Sequence, residues 1–291
     1  GVPIPDFRSV WTYEETVKAF NELSKPLVIK PTDNMGARGV KKVSSIDELK
    51  FAFDLAKSCS PSGGIIIEEF MEGPELSIDS LIYNDEIHIC GVADRIIEYP
   101  PYFVETGHIM PSALPDEQID DAIDVMKQAI RAIGIDIGAA KGDIKVTPNG
   151  AKVGEIAARL SGGFMSAYTY PYSSGVNLIM NAIRIALGEA PLDLEPKFDK
   201  VSIEKAIIPT SGRIKSITGL LEAESIKGVK NIFLRAEIGD YVKVPTNNIE
   251  KSGNIIAVGD TRDEAWAIIN KALDTIKIET VKEGSEITWP D

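Results

Sequence analysis

Apolar and polar residues alternate along the first third of the chain in short blocks, which predict strands and helices in turn. Apolar residues at helical spacing come first, and an apolar run of strand length follows them. A polar loop that contains two glycines separates this strand from the next one. The predicted elements are a helix at 12–23, strands at 27–29, 40–43 and 65–67, a polar loop at 32–39 and a helix that starts after Ser45.

The remaining two thirds of the chain predict paired strands and three longer helices. Two strands flank a turn at Asn84 and Asp85, and the prolines between residues 100 and 111 indicate an irregular segment. The other predictions are strands at 76–81, 87–93, 144–146, 153–156, 229–234 and 255–258, helices at 116–133 and 176–187, a linker at 189–200 and a last helix capped by Thr261 and Glu264.

The composition excludes several classes of protein. Hydrophobic residues make up 44% of the 291 residues and charged residues 26%, which is typical of a soluble globular chain. The net charge of −13 gives no electrostatic basis for binding nucleic acid, and no window approaches the ~20 apolar residues of a membrane span.

No secretory signal is visible, and two distant cysteines favour a reducing cytoplasm. With so few cysteines and histidines, any metal should be a hard ion held by carboxylates.

Two acidic residues near the middle of the chain can meet in one strand register. Asp143 and Glu155 lie on strands joined by residues 148–150. A two-residue loop would point them to different faces, whereas a three-residue loop would pair Thr147 with Ala151 and place the two acids opposite each other. The three-residue loop suits the sequence, because Gly150 takes positive φ without steric cost. Opposed carboxylates repel unless a cation such as Mg²⁺ lies between them, and Arg159 would share their face. A solvated hairpin face with the repulsion relieved by nearby basic residues is the competing interpretation.

Two further segments contain residue types that suit a nucleotide. Lys30 ends an apolar strand, and the glycine loop after it adds flexible backbone amides and a second cation, which together can hold a polyphosphate. A later strand runs into a segment with backbone polar groups beside apolar side chains, which can enclose an adenine ring. When each segment is considered by itself, an ordinary hairpin loop explains the first one and a solvated strand end explains the second. The residues concerned are Gly36, Arg38, Gly39, Glu68, Glu69, Phe70, Met71 and Glu75.

The order of these segments, followed by Gly154-Glu155-Ile156-Ala157-Ala158-Arg159 and Ser161-Gly162-Gly163, resembles the ATP-grasp superfamily over residues 2–188. The tail after Pro191 is similar to the small C-terminal domain of its carboxylate–amine ligases, and Gly107-His108 favours the L-amino-acid ligase and carbamoyl-phosphate-synthase-like branch. The resemblance implies an α+β ATP-grasp fold with a lid subdomain, a core antiparallel sheet with helices and a small C-terminal α/β domain. The implied division is a polar N-terminal segment at 1–25, the lid at 26–85, the core with the metal hairpin at 86–190 and the C-terminal domain at 191–291.

The resemblance also implies an activity, in which ATP and Mg²⁺, or Mn²⁺ in its place, activate a small carboxylate as an acyl phosphate for attack by an amine. Asp143 and Glu155 would hold the metal, and Arg159 would stabilise the transferring phosphoryl group. His108 would orient a substrate or transfer a proton, with a structural hydrogen bond as the alternative. The implied nucleotide ligands are Lys30, Gly36, Arg38 and Gly39 at the phosphates, Glu68, Glu69, Phe70 and Met71 at the adenine and Glu75 at the ribose.

Two departures from the family pattern leave alternatives open. Ala157 stands where many members have an asparagine ligand, which puts a second metal ion in question. The chain also starts where a separate N-terminal domain of the family would end, so we expect a fragment with an incomplete substrate site. A non-ligating ATP-binding module and a bicarbonate-using, carboxylase-like enzyme therefore stand beside the ligase. Because the superfamily often dimerises, a homodimer is a further expectation, whereas nucleic acid and membrane partners are not expected.

Overall fold

The computed structural model describes residues 1–282, which form three antiparallel sheets with helices packed on them. Every strand pair with a defined register among these residues is antiparallel. This is the mixed α and antiparallel β organisation that the sequence predicts.

A four-stranded sheet near the N-terminus carries Lys30 on its second strand. The strands pair in the order β1, β4, β2, β3, and the two helices share one apolar core with them. The predicted capping box at Ser45 is confirmed, since the Glu48 carboxylate accepts the Ser45 amide at 3.2 Å. The elements are β1 (Phe7–Val10), α1 (Tyr13–Glu22), β2 (Leu27–Pro31), β3 (Lys41–Val43), α2 (Ile46–Cys59) and β4 (Ile65–Glu69).

An eight-stranded sheet forms the centre of the described chain, in the order β12, β14, β10, β7, β6, β5, β8, β9, and a third sheet pairs β13, β11 and β15. The strands are β5 (Glu75–Tyr83), β6 (Glu86–Glu98), β7 (Val104–Met110), β8 (Gly138–Thr147), β9 (Gly150–Ala157), β10 (Val201–Ile207), β11 (Gly212–Thr218), β12 (Val229–Leu234), β13 (Tyr241–Val242), β14 (Gly253–Gly259) and β15 (Lys277–Val281). The helices are α3 (Asp116–Ala132), α4 (Tyr170–Ser174), α5 (Leu178–Ala186), α6 (Leu220–Glu224) and α7 (Arg262–Thr275), with a π-helix at Met165–Thr169 and a 3₁₀ helix at Asn248–Glu250.

The two faces of the large sheet differ in chemistry. Helix α3 covers one face, where it packs on Leu76 of β5 and Ile144 of β8. Because successive side chains of a strand point to opposite faces, Glu75 and Asp143 lie on the other face. That face carries charged residues where β5, β6 and β8 run side by side, and it is apolar around the buried Tyr170. The candidate site therefore lies on the face opposite α3.

Two parts of the middle of the chain differ from the prediction. Residues 100–111 were predicted to be irregular, which is wrong for most of the segment, because Val104–Met110 is strand β7. Its polar residues Thr106 and His108 are buried and bonded to neighbouring strands, so the segment lacks the apolar alternation of an ordinary strand. The π-helix and α4 were not predicted either, since the glycines, serines and prolines around them resemble a loop.

The sheets do not follow the domain boundaries that the sequence suggested. β1 belongs to the small sheet although it lies in the predicted N-terminal segment, and β5 belongs to the large sheet although it lies in the predicted lid. β10, β12 and β14 come from the predicted C-terminal domain, yet they extend the large sheet. Strand pairing between residues far apart in sequence decides this arrangement, and local patterns do not show it.

Candidate active site

The β8–β9 hairpin places the two predicted metal ligands opposite each other. Asp143 is paired with Glu155, as the sequence predicted. The predicted loop is wrong in detail, since Thr147 pairs with Gly150 across a loop of two residues. A bulge at Gly154 then shifts the register by one residue and restores the pairing of the two acids.

The two carboxylates of the hairpin have different surroundings. Asp143 is buried, and its Oδ2 contacts both the ammonium of Lys141 and, at 2.9 Å, the guanidinium of Arg95. Its Oδ1 is buried without a hydrogen-bond partner among residues 1–282. The Glu155 side chain is 57% exposed, and its Oε1 lies 3.6 Å from Arg159 Nη2. One acceptor is thus free inside the site and the other carboxylate is open to solvent.

These two carboxylates fit a hard cation that completes its shell with other oxygens. No group of three or more histidine, cysteine, aspartate or glutamate side chains within residues 1–282 has the geometry of a metal site. Mg²⁺ does not need such a group, because it is usually held by one or two carboxylates with waters and substrate phosphates. The free Oδ1 of Asp143 and the exposed carboxylate of Glu155 supply that number of protein ligands.

Lys30 and Glu68 lie on neighbouring strands of the small sheet and form an ion pair. The ammonium of Lys30 is 2.7 Å from Glu68 Oε1, and both side chains are largely buried. The Glu69 carboxylate accepts the Ser24 amide at 3.0 Å, and the Glu69 amide donates to the Asp6 carbonyl. Glu69 is therefore hydrogen-bonded to the N-terminal segment. Lys30 and Glu68, in contrast, form an ion pair with each other at the position predicted for the nucleotide.

The glycine loop folds back on itself and touches the C-terminal third of the chain. Gly36 and Gly39 have φ of +68° and +76°, a region that glycine enters without steric cost. Arg38 Nε donates to the Met35 carbonyl at 3.0 Å, which holds the side chain along the loop. The Gly36 carbonyl accepts the backbone amide of Asn248 at 2.9 Å. Asn248 thus holds the loop against the large sheet, and the sequence does not predict this contact.

Phe70 and Met71 lie between the two sheets. The rings of Phe70 and Phe103 are 6.1 Å apart, and the ammonium of Lys42 lies 3.7 Å above the Phe70 ring. Met71 reaches the hairpin, since its terminal methyl group is 3.7 Å from the place where a Cβ on Gly154 would stand. The apolar segment predicted for adenine and the hairpin predicted for metal are therefore neighbours in space.

A network of buried charges extends from the hairpin across the large sheet. Arg95 on β6 contacts Glu75, Glu105 and Asp143, and its Nε donates to Glu105 at 2.8 Å. Glu75 also accepts from Lys145 at 3.1 Å, so both of its carboxylate oxygens are paired. A ribose contact by Glu75 stays a prediction, and it would have to share this carboxylate with two cations.

His108 lies fully buried on β7, in register with Arg95 on one side and Glu204 on the other. Its Nδ1 is 3.0 Å from Glu204 Oε2, and its Nε2 is 3.2 Å from Glu105 Oε1 at an angle that makes no hydrogen bond. Burial alone would lower the pKa of His108, but the carboxylates of Glu105 and Glu204 outweigh it and raise this pKa to about 9. The imidazole is therefore a cation at neutral pH.

Two segments of the chain match known domain families. Residues 23–167 match the profile of the ATP-grasp domain, and residues 206–281 match L-amino acid ligase C-terminal domain 2. The chain belongs to the ATP-grasp superfamily. Enzymes of this superfamily use ATP with Mg²⁺.

Two curated proteins illustrate the similarity of this ATP-grasp chain to individual relatives. An uncharacterized protein of Sinorhizobium fredii, y4rH, is 29% identical over 95% of this chain and 58% of its own length. The D-alanine–D-alanine ligase of Acidovorax ebreus is 30% identical over 66% of this chain and 60% of its own. The chain thus spans about three fifths of the length of these two curated relatives.

Among solved structures, an L-amino acid ligase from Bacillus licheniformis has the same fold. It superposes with a TM-score of 0.82 at 24% identity, over 97% of this chain and 69% of that one. The predicted ATP-grasp fold is thereby confirmed. Within residues 1–282, no helix combines the length and the apolar character that crossing a membrane requires.

The candidate site also contains residues that the sequence does not predict. Asp79 is a buried carboxylate that accepts the Ser161 amide at 3.0 Å and the hydroxyl groups of Ser161 and Ser166. It anchors the loop directly after Arg159, and burial raises the pKa of this carboxyl although the serines oppose the shift. Arg95 was missed as well. A charged residue within a largely apolar strand is the signal for both, although Arg95 directly follows Asp94, because a buried charge needs partners.

Asn248 joins the glycine loop to the charged network, and this contact gives a testable prediction. Besides its amide bond to Gly36, its Oδ1 accepts the Glu105 amide at 2.8 Å. Removal of this acceptor in Asn248→Ala leaves a partly buried amide unpaired and should cost about 1–3 kcal/mol of unfolding free energy. Denaturant unfolding measures this loss. In the control Asn149→Ala, an exposed turn residue, the change should stay within about 0.5 kcal/mol, and an equal loss in both variants would contradict the role of Asn248.

Proposed function

We propose that this chain provides the ATP- and Mg²⁺-binding part of a ligase that activates a carboxylate as an acyl phosphate for attack by an amine. The observation that carries the proposal is the β8–β9 hairpin, where Asp143 and Glu155 are opposed, Asp143 Oδ1 is free and Arg159 is adjacent. The L-amino acid ligase profile over residues 206–281 supports an amine as the attacking group.

In the proposed reaction, Asp143 and Glu155 would hold Mg²⁺, which neutralises charge on the nucleotide phosphates when it is bound. Arg159 is half exposed next to Glu155, so its guanidinium can turn from that carboxylate to the transferring phosphoryl group and the acyl phosphate. Lys30 would contact the α- or β-phosphate, and the loop with Gly36, Arg38 and Gly39 would cover the phosphates. A second Mg²⁺ is not part of the proposal, because Ala157 offers no ligand.

The adenine would lie between the two sheets, against Phe70 and Met71. The Met71 amide, which has no hydrogen-bond partner among residues 1–282, would donate to the ring. Glu68 would stay near the adenine as the partner of Lys30. His108 would bring a positive charge to the carboxylate substrate. The substrates would be small molecules.

A thermal-shift titration of this chain with Mg-ADP tests the nucleotide part of the proposal. A ligand at 100 times its dissociation constant should stabilise the fold by about 2.7 kcal/mol. We expect a shift that requires magnesium and that is much reduced in Asp143→Asn. A shift of equal size without magnesium, or in the variant, would contradict the placement of the metal at the hairpin.

An assay of ADP and phosphate release tests the reaction itself. With the protein in its full natural length, we expect release that requires both a carboxylic acid and an amine. Release that depends on bicarbonate and is indifferent to amines would favour the carboxylase-like alternative. Binding of Mg-ADP without turnover, for every acid and amine pair in a broad amino-acid screen, would favour the non-ligating module.

A further inference from the structure

Glu204 is a buried carboxylate that the reaction proposed above does not use. It lies on β10, outside the segment that matches the ATP-grasp profile, and it is directly opposite His108 on β7. Its Oε2 is 3.0 Å from His108 Nδ1, and its Oε1 accepts the side-chain amide of Asn254 on β14. Both oxygens therefore have a partner, and the side chain is fixed from two sides.

This contact determines which nitrogen of His108 is free. Because Glu204 accepts from Nδ1, this nitrogen carries a hydrogen. Nε2 is buried and makes no hydrogen bond with any residue in the described chain, although Glu105 Oε1 lies 3.2 Å from it. Gly163 lies against the ring, since a Cβ added to this glycine would be 3.2 Å from His108 Cε1. Gly163 belongs to the loop that follows Arg159, so the Cε1 edge of the ring lies beneath that loop, beside the carboxylate of Glu105.

We propose that Glu204 is a positioning residue of the ligase site: it fixes the imidazole of His108 through Nδ1 and, together with Glu105, keeps it doubly protonated, so that a positively charged ring lies beneath the loop after Arg159. The inference rests on the proposed function, since it assigns that charge to the carboxylate and its phosphorylated form. It adds a residue from the C-terminal third of the chain to the machinery of the ATP-grasp domain.

Glu204 adds a second negative charge to surroundings that otherwise oppose a charged His108. Arg95 on β6 lies beside the ring, and Lys251 donates to the backbone carbonyl of Glu105. Both cations oppose a charged imidazole, and burial opposes it as well. Glu105, 3.2 Å from Nε2, is the stronger of the two carboxylates in raising the pKa of His108, but it also pairs with Arg95. Glu204 has no cationic side chain in contact other than His108 among the described residues, so its charge acts on this ring.

The chain contains only two histidines, which makes the state of His108 directly measurable. In a His88→Gln background, the ¹⁵N-imidazole NMR signals report His108 alone. We expect a doubly protonated ring at pH 7 that titrates near 9. In Glu204→Gln, the hydrogen bond can remain while the charge is lost, so the titration midpoint should fall by ~1 unit or more. An unchanged midpoint, or a neutral ring at pH 7 in the parent, would overturn the proposal.

Glu86→Gln is the matched control, made with His88 retained. Glu86 lies 3.4 Å from His88 on an exposed surface, so this variant removes the same charge from the other histidine. It should leave the His108 signals unchanged. Should Glu204→Gln fail to fold, Asn254→Ala frees one side of Glu204 while it keeps the charge, and it should broaden or shift the Nδ1 resonance. Unchanged Nδ1 signals in that variant would count against a fixed Glu204.

The pH profile of turnover connects the ring to the reaction. If the charge on His108 assists activation, the alkaline limb of kcat/KM should move to lower pH in Glu204→Gln by the same amount as the NMR midpoint. A profile that does not move while the NMR midpoint does would overturn the link to catalysis. Absence of turnover in the parent would instead refute the proposed function, and the NMR experiment would still decide whether Glu204 sets the state of His108.

Discussion

Replacement of Glu155 by glutamine should lower the rate of ATP turnover by roughly 10²-fold or more. The change keeps the size of the side chain but removes the negative charge that would hold Mg²⁺ opposite Asp143. Loss of one preorganised charge-stabilising group costs on the order of 10²–10³ in rate. Steady-state release of ADP over a range of magnesium concentrations measures the effect, and part of the lost rate should return at high magnesium.

Glu189→Gln is the matched control for this experiment. Glu189 also pairs with an arginine, Arg184 at 2.9 Å, and at 52% its side chain is about as exposed as that of Glu155 at 57%. The control should keep the parental rate, because neither Glu189 nor Arg184 belongs to the hairpin. A near-normal rate for Glu155→Gln at every magnesium concentration would remove the metal role of the hairpin.

Replacement of Arg95 by methionine should lower the free energy of unfolding by about 3–5 kcal/mol. Arg95 is buried among the carboxylates of Glu75, Glu105 and Asp143. Removal of one partner of a buried ion pair leaves uncompensated charges, and this costs about 3–5 kcal/mol. Denaturant unfolding of both proteins gives the difference, and Arg8→Met, which breaks the exposed pair with Glu22, should change it by about 1 kcal/mol at most.

The deficit of Arg95→Met should depend on pH. Burial would raise the pKa of Glu105, but His108 and Arg95 overcome this and hold it well below its usual range. A carboxyl with a lowered pKa contributes stability above its unfolded pKa and loses it as the pH falls. The difference between parent and variant should therefore be larger at about pH 7 than at about pH 4. An equal deficit at both values would mean that lost packing, and not charge, explains the effect.

The sequence predicted much of the local structure because local rules govern it. The capping box at Ser45 and Glu48 fixed the start of α2, and the apolar run before Lys30 predicted β2. The pairing of Asp143 with Glu155 was also predicted, but from a three-residue loop, whereas the structure has a two-residue loop and a bulge. The bulge lies at Gly154, where a Cβ would stand 3.3 Å from the Asp143 carbonyl oxygen and 3.7 Å from the Met71 methyl group, and no local pattern contains these neighbours.

The sequence missed the contacts that connect the site across the sheet, although it named His108 as a site residue. His108 was predicted in an irregular segment, because a buried polar strand looks like a loop until its partners are known. Arg95 and Glu204 had no motif around them, and Asn248 lies more than 200 positions after the glycine loop that it holds. The roles of the nucleotide residues stay predictions, since geometry alone does not assign them.

By itself, the sequence determined the resemblance to the family, through the order of its motifs, and most of the helices and strands, because caps and apolar periodicity are local properties. The tertiary structure alone decided which charges meet. Strands β10, β7, β6, β5 and β8 come from distant parts of the chain, and their register places Glu204, His108 and Arg95 in one row, which leads to Asp143. Hydrogen bonding between strands fixes that register, and the cost of an unpaired buried charge keeps the row intact.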